Sequence, residues 1–113
     1  MNTIFHITQR QKWESAKFLG KYSADSLETE GFIHCSTLQQ IVKTANRFFA
    51  HQKDLVILHI DPKKVQPEIR EEAASNGDNF PHIYGQLNID AVFKVVDVET
   101  GDDGLFVLPE EMG

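Results

Sequence analysis

Several residue types and patterns are scarce in this sequence. It contains a single cysteine, Cys35, and only four prolines in 113 residues. One cysteine excludes an internal disulfide and a paired-cysteine zinc motif, and it is typical of a reducing compartment. No apolar run approaches the roughly 18 residues that a membrane-spanning helix needs, and the N-terminus lacks a charged-then-apolar signal pattern. We therefore expect an unanchored, cytoplasmic protein.

Basic residues are also few. The chain has 11 Lys and Arg residues against 17 Asp and Glu residues, which gives a formal net charge of -6. Because such a charge repels phosphate backbones and anionic lipids, we expect no nonspecific nucleic-acid binding and no membrane binding. A hydrophobic content of 41% is ordinary for a soluble domain. This length is enough for one hydrophobic core, so we expect a single domain over residues 1–113.

Hydrophobic periodicity predicts an α+β fold. Two main helices are expected at residues 9–19 and 37–49, and the second repeats apolar residues close to the i, i+3, i+4, i+7 spacing. Residues 69–73 fit either a strand or a helical turn, and a turn is expected at residues 76–79. About six strands are predicted, at residues 3–8, 32–35, 55–60, 80–84, 89–98 and 105–108.

The most informative segment is GFIHCST, residues 31–37. His34 stands near the end of a short apolar strand, and Ser36 followed by Gln39 has the spacing of a capping box for the second helix. Backbone N–H groups point outward at such a junction, so His34 faces a place suited to an anionic or phosphate-bearing ligand. His6 has the same setting, because Thr8 follows it and can cap the first helix.

His82 and Tyr84 form a second candidate pair. They are two residues apart in a predicted strand, so their side chains project to the same face, and Gly85 allows a close approach by a ligand or another backbone. A tyrosine-rich edge strand is the alternative interpretation. The carboxylates of Glu68, Glu71, Glu72 and Asp90 are possible partners, although their spacing does not select any one of them.

The other histidines and the cysteine have structural explanations. His51 follows a predicted helix and fits an interaction with its C-terminus, whereas His59 lies within a buried strand pattern. Cys35 is adjacent to His34, and adjacent strand residues point to opposite faces, so the two do not form a nucleophile pair. No two histidines have the close spacing of a zinc motif, and we expect no metal.

Several motifs occur in an order that resembles a known family. The blocks FHIT, EGFIHCST, TANRFF, LHID and FPHIYGQLNIDAV, which begin at residues 5, 30, 44, 58 and 80, resemble the DUF952 family of small bacterial proteins over nearly the whole chain. That family is similar in fold to the ADP-ribosyltransferases, including the rifampicin ADP-ribosyltransferases and the RNA 2'-phosphotransferases. The resemblance implies a split, antiparallel-rich β-sheet with NAD or an ADP-ribosylated intermediate bound in its cleft.

The resemblance also implies roles for individual residues. His6 with Thr8 matches the first motif position, where the histidine hydrogen-bonds the ribose, and His34 matches the second, which packs against the nicotinamide. The third position is filled by His82, Tyr84 or Gln86 rather than by a clear acid. Residues expected to be catalytic are His6 and His34, and those expected to contact the nucleotide are Thr8, Ser36, His82 and Tyr84.

Three functions follow from these observations. The first is an ADP-ribosyltransferase-like enzyme or an NAD- or ADP-ribose-binding protein. The second is a noncatalytic ligand-binding or interaction module that has the cleft without the acid. The third is a metal-dependent hydrolase that uses His6, His34 and His82, each from a different strand. The sequence does not indicate the acceptor or the oligomeric state.

Overall fold

A computed structural model describes residues 2–74 and 77–109 of the chain. Within these residues it has three α-helices, a 3-10 turn and strands β1–β10, in an α+β arrangement that confirms the predicted class. The helices are α1 (Arg10–Leu19), α2 (Asp25–Thr29) and α3 (Ile41–Phe48). The strands are β1 (Ile4–Gln9), β2 (Lys21–Tyr22), β3 (Ile33–His34), β4 (Leu55–Ile60), β5 (Glu68–Ala73), β6 (Asn79–Tyr84), β7 (Leu87–Asn88), β8 (Val92–Asp97), β9 (Glu99–Thr100) and β10 (Phe106–Val107).

Two three-stranded antiparallel sheets form the centre of the fold. Their strand orders are β1-β4-β8 and β3-β6-β5. A single bridge joins them, since Phe5 N–H donates to the Ser36 carbonyl at 2.8 Å and Ser36 N–H donates to the Phe5 carbonyl at 2.7 Å. The strands separate on either side of this bridge, so six strands form one split, antiparallel assembly.

The two central strands β1 and β4 are buried on both faces. One face packs in a core that contains Ile4, Leu58 and Ile60 with Trp13 of α1, and the other packs with Ile41 of α3. Burial on both faces explains why the sequence of β4 is almost continuously apolar rather than alternating. The strand predicted at residues 55–60 is confirmed at these bounds.

The helix predicted at residues 37–49 begins later than predicted. It is α3, which starts at Ile41 rather than at residue 37. Ser36 is not a helix cap, because its backbone is used in the bridge to Phe5 and its hydroxyl bonds to Thr44 Oγ1 at 3.2 Å. Gln40 Oε1 instead accepts a hydrogen bond from Thr37 N–H at 2.9 Å. The predicted Ser36–Gln39 capping box is therefore wrong, because Ser36 pairs with Phe5 instead of capping the helix.

Other boundaries also differ from the prediction. Residues 89–98 are not one strand, because Ile89–Ala91 forms a 3-10 turn before β8. Residues 69–73 belong to β5, which settles the choice between strand and helical turn. The strand count exceeds six because the two-residue strands β2, β7 and β9 were not predicted and because β5 is a strand. Asn76 lies outside the described residues, while Gly77 N–H donates to the Ala74 carbonyl at 2.9 Å within this connection.

The described helices are all too short or too polar to span a bilayer. The longest, α1, has ten residues. It ends at Leu19, the predicted last residue, and Gly20 follows in the left-handed conformation with φ of 86° and donates its N–H to the Ala16 carbonyl.

Gly85 follows β6 at a point of very close packing. Its φ is +157°, and a Cβ atom added there would lie 2.9 Å from the Cβ atom of Pro67. The close approach expected at this glycine is therefore made by a proline side chain. A larger residue cannot fit unless the chain around Pro67 moves.

We expect Gly85→Ala to destabilise the fold more than a glycine replacement without steric overlap. The added methyl group should lower the free energy of unfolding by about 1 to 3 kcal/mol beyond any backbone cost. Gly20→Ala is the matched control, because Gly20 also has positive φ but nothing lies within 4 Å of its added Cβ. Urea denaturation of both variants measures the difference. Equal destabilisation would contradict the packing explanation.

Candidate functional site

The split between the sheets opens a cleft of about 900 Å³. Its lining includes five of the six site residues predicted from the sequence: His6, Thr8, His34, Ser36 and His82. They come from β1, from β3 and the residues after it, and from β6, so separate parts of the chain meet here. The sixth, Tyr84, is not part of the lining and lies beside His82 on the same strand face.

His6 is a buried histidine with both ring nitrogens bonded. Nδ1–H donates to the His34 carbonyl at 2.6 Å, and Nε2 lies 2.7 Å from the Tyr22 hydroxyl. Burial lowers the pKa of His6 to about 4, so the ring is neutral at physiological pH. A neutral ring that donates through Nδ1 must accept at Nε2. The Tyr22 hydroxyl is therefore the donor to His6.

Tyr22 connects His6 to Thr8. Its oxygen lies 2.9 Å from Thr8 Oγ1. Since the single hydroxyl proton of Tyr22 is directed at His6, Thr8 must donate to Tyr22. Burial also raises the pKa of Tyr22 to about 12. The floor of the cleft is therefore a chain of uncharged groups in which each donates a hydrogen bond to the next. Thr8 donates to Tyr22, Tyr22 to His6, and His6 to the His34 carbonyl.

Cys35 lies next to this floor but does not contribute chemistry to it. The residue is buried, and burial raises the pKa of its thiol well above the ordinary value. The thiol consequently stays protonated and is a poor nucleophile. His34 is exposed whereas Cys35 is buried, as expected for adjacent residues on opposite faces of a strand.

His34 occupies the rim of the cleft. Its Nε2 lies 2.8 Å from Glu30 Oε2, and the two side chains are about half exposed. The edge of the His34 ring contacts the Phe32 ring, with centroids 4.9 Å apart. The position suits a ring that meets a ligand, because one nitrogen is oriented by a carboxylate while the ring remains accessible.

His82 lies directly opposite His34 in the β3–β6 pairing. Its ring stacks on Phe32 with centroids 4.0 Å apart and 13° between planes. His82 Nδ1 lies 2.8 Å from Glu72 Oε1, and the Tyr84 hydroxyl donates to the same oxygen. These bonds, first from Tyr84 and then from His82, hold the pKa of Glu72 below its ordinary value.

One face of the β3-β6-β5 sheet is therefore an aromatic surface with charged neighbours. We call Phe32, His34, His82 and Tyr84 the aromatic face. The Arg70 guanidinium lies 4.3 Å from the centroid of the Tyr84 ring, which adds a cation–π contact. The predicted projection of His82 and Tyr84 to one side is confirmed by their shared carboxylate partner.

Residues that sequence reasoning did not place here include Tyr22, Phe32, Glu30 and the cationic Lys12 and Arg47. Phe32, like Glu72, lies beside the lining, whereas the other four contribute to it. The sequence offers several carboxylates as partners of His82 and Tyr84 and does not single out Glu72 among them. Its pairing with Phe80 across the β5–β6 ladder puts it on the face of His82, and only the register could have shown this.

The remaining candidates lie elsewhere. His59 is buried beside Phe5, with ring centroids 4.9 Å apart, but its Nδ1 has no hydrogen-bond partner among the described residues, unlike the satisfied core histidine expected. Asp90 accepts a hydrogen bond from Asn88 at 2.6 Å, and Gln86 donates to Ser23 at 2.9 Å. His51 is exposed beyond α3. None of these four belongs to the cleft lining.

A metal centre made of three histidines is not supported by the geometry. Across residues 2–74 and 77–109, no group of three His, Cys, Asp or Glu side chains is arranged to hold a metal ion. This includes His6, His34 and His82, all of which are described. His6 also has both ring nitrogens bonded within the protein, so it has no lone pair available for a metal.

The overall fold is also found in a solved protein of similar length. The crystal structure of protein CC0527 from Caulobacter crescentus matches with a TM-score of 0.89 and 29% identity over 98% of each chain. Its solution NMR structure matches with a TM-score of 0.80 and 31% identity, over 93% of this chain and 91% of that one. Among curated proteins, none matches this sequence.

The family comparison covers most of the cleft. The family described as "Protein of unknown function (DUF952)" matches residues 7–95. This range contains Thr8, Tyr22, His34, Ser36 and His82, and it ends within β8. It begins one residue after His6. The match extends over more than half of the sequence, and the chain therefore belongs to the DUF952 family.

Proposed function

We propose that this protein is ADP-ribosyltransferase-like and binds NAD or a related ADP-ribose-type nucleotide in its cleft. The observation that carries the proposal is the convergence of His6, His34 and His82 from three strands on one cavity at the split of the sheet. A volume of about 900 Å³ suits a dinucleotide-sized ligand, since small-molecule sites measure roughly 300–1,000 Å³.

The chemistry of the lining supports a ligand that has rings, hydroxyls and phosphates. Phe48, Phe80 and His82 supply rings for stacking, and Thr8 lies at the polar floor. Lys12 and Arg47 are also in the lining, where they supply positive charge in a chain of net charge -6. Cations in a cleft attract phosphate locally even when the whole protein is acidic.

The two motif histidines have different proposed roles. His34 is the ligand contact, because its ring is half exposed at the rim. His6 is a positioning residue, because both of its nitrogens are already bonded and its ring is buried. A ribose hydroxyl can bond to His6 Nε2 only by replacing the hydroxyl of Tyr22. Ser36 supports the site through its backbone bridge and its bond to Thr44.

An enzyme requires more than this binding site. Cleavage of the N-glycosidic bond of NAD develops positive charge on the ribose, and a nearby carboxylate stabilises that charge. Glu30 and Asp25 are carboxylates in the cleft lining. They favour the catalytic form of the proposal. A noncatalytic binding module is the second candidate. It is favoured by the position of Glu72, because this carboxylate lies outside the cleft lining and therefore away from the ribose.

We expect calorimetry to detect saturable binding of NAD or ADP-ribose. His34→Ala should weaken that binding by about tenfold, because it removes a ring contact worth about 1.4 kcal/mol. His51→Ala is the matched control, since His51 is an exposed histidine outside the cleft. If neither NAD nor ADP-ribose binds, the proposal is refuted. If His34→Ala and His51→Ala bind the nucleotide with equal affinity, the role of His34 is refuted.

Nicotinamide release distinguishes the catalytic form from the binding module. An enzyme should release nicotinamide from NAD over hours at a rate proportional to protein concentration. A protein that binds NAD but leaves it intact over that time is a binding module. Chromatographic measurement of free nicotinamide, with heat-denatured protein as the control, decides between the two functions.

The neutral state of His6 predicts a pH dependence of stability. The folded pKa of about 4 lies below the unfolded value of 6.5, so between these values the unfolded state binds more protons. The contribution of neutral His6 to the free energy of unfolding is fully present above about pH 6.5 and is lost as the pH falls toward 4. It amounts to about 3 kcal/mol across this window.

Urea denaturation from pH 7 to pH 4 tests this dependence. The His6→Gln variant should lose less unfolding free energy across the window than the unsubstituted protein does, because glutamine does not titrate. His51→Gln should show the dependence of the unsubstituted protein. Parallel curves for His6→Gln and the unsubstituted protein would show that His6 is not held neutral by burial.

A further inference from the structure

The Glu72–His82 pair has the geometry of an oriented base. Glu72 accepts from His82 Nδ1 at 2.8 Å and also from the Tyr84 hydroxyl. The bonds lower the pKa of Glu72, so it is ionised and can only accept. In its neutral form His82 therefore carries its proton on Nδ1, which leaves Nε2 as a hydrogen-bond acceptor. Carboxylate control of the histidine tautomer is what a general base requires.

The His82 ring is held in place on several sides. Phe32 stacks against it at 4.0 Å, and His34 meets it edge to face with centroids 5.2 Å apart. Its side chain is only 12% exposed, yet it lines the cleft. Nε2 has no hydrogen-bond partner among residues 2–74 and 77–109. A fixed ring with one unpaired acceptor beside a ligand cavity is suited to taking a proton.

The other cleft histidines are less suited to this task. His6 has both nitrogens bonded inside the protein. His34 is paired with Glu30, but both side chains are about half exposed, so their orientation is less restrained. His82 is thus the cleft histidine that combines restraint, a fixed tautomer and a free nitrogen.

We propose that His82, oriented by Glu72, is the general base that activates a hydroxyl acceptor, either water or an alcohol, for attack on the bound nucleotide. The inference rests on the proposed NAD-type function and adds the class of acceptor to it. Tyr84 assists by sharing the carboxylate of Glu72, and Phe32 fixes the plane of the ring.

The step is balanced in atoms and charge. The bond between ribose C1' and the nicotinamide nitrogen breaks, and its electron pair goes to that nitrogen, which becomes neutral. The acceptor oxygen forms a new bond to C1', and its proton moves to His82 Nε2. The resulting imidazolium is stabilised by ionised Glu72. Proton transfer of this kind contributes about 10²–10⁴-fold to a rate.

The charged and titratable neighbours of His82 come from each packed strand. Glu72 and Arg70 face it from β5, His34 faces it from β3, and Tyr84 is on its own strand. Because a general base takes up a proton, His82→Gln should change the pH profile of the reaction. Substitution of a carboxylate that does not contact His82 should leave the profile unchanged.

The test measures nicotinamide release from NAD by the full chain, with water alone and with added methanol as acceptor. His82→Gln should lower kcat by about 100-fold or more, and Glu72→Gln should lower kcat by about tenfold with KM for NAD little changed. Glu68→Gln is the matched control, since Glu68 is an exposed carboxylate on the same strand that pairs with Arg70. Imidazole ¹⁵N shifts should show the Nδ1–H tautomer of His82 in the unsubstituted protein.

Each outcome decides the inference. Loss of kcat in His82→Gln, with Glu68→Gln unaffected, supports it. Turnover that survives in His82→Gln overturns the inference while the proposed function stands. Binding of NAD without any turnover also overturns the inference and leaves a binding module. Failure to bind NAD or ADP-ribose removes the proposed function and this inference together.

Discussion

The main-chain bridge between Phe5 and Ser36 determines where the other parts of the cleft lie. It brings β1 against the end of β3, so that His6 comes within hydrogen-bond distance of the His34 carbonyl. Beyond the bridge the two sheets separate, and the gap between them is the cavity. The fold therefore produces a cavity where the pairing between the two sheets is interrupted.

Burial and exposure give the cleft two chemically different parts. The floor of Thr8, Tyr22 and His6 is uncharged, because desolvation lowers the pKa of the histidine and raises that of the tyrosine. The aromatic face has rings beside the ionised carboxylate of Glu72. Neutral hydrogen-bonding groups suit orientation of sugar hydroxyls, whereas a carboxylate–histidine pair suits proton transfer. The proposed site therefore combines a floor suited to binding with a histidine suited to proton transfer.

Much of the local structure was predictable, since it depends on neighbouring residues. The apolar run of β4, the glycine stop of α1 and the opposite orientations of His34 and Cys35 all follow from spacing. Long-range pairing was not predictable. Ser36 has the sequence context of a cap, but its backbone pairs with a strand 31 residues earlier. Tyr22 and Glu72 reach the site only through the register of distant strands, which a single sequence does not encode in its spacing.

Strand β5 also has a consequence for how copies of the protein behave together. It lies at the outer edge of β3-β6-β5, where unpaired backbone groups could accept a strand from another molecule. Its sequence places Glu68, Arg70 and Glu71 in exposed positions, with Glu72 partly exposed beside them. Charged side chains on an edge oppose intermolecular pairing. The carboxylate that orients His82 is thus part of a protective edge, so the same strand links the chemistry of the cleft with resistance to aggregation.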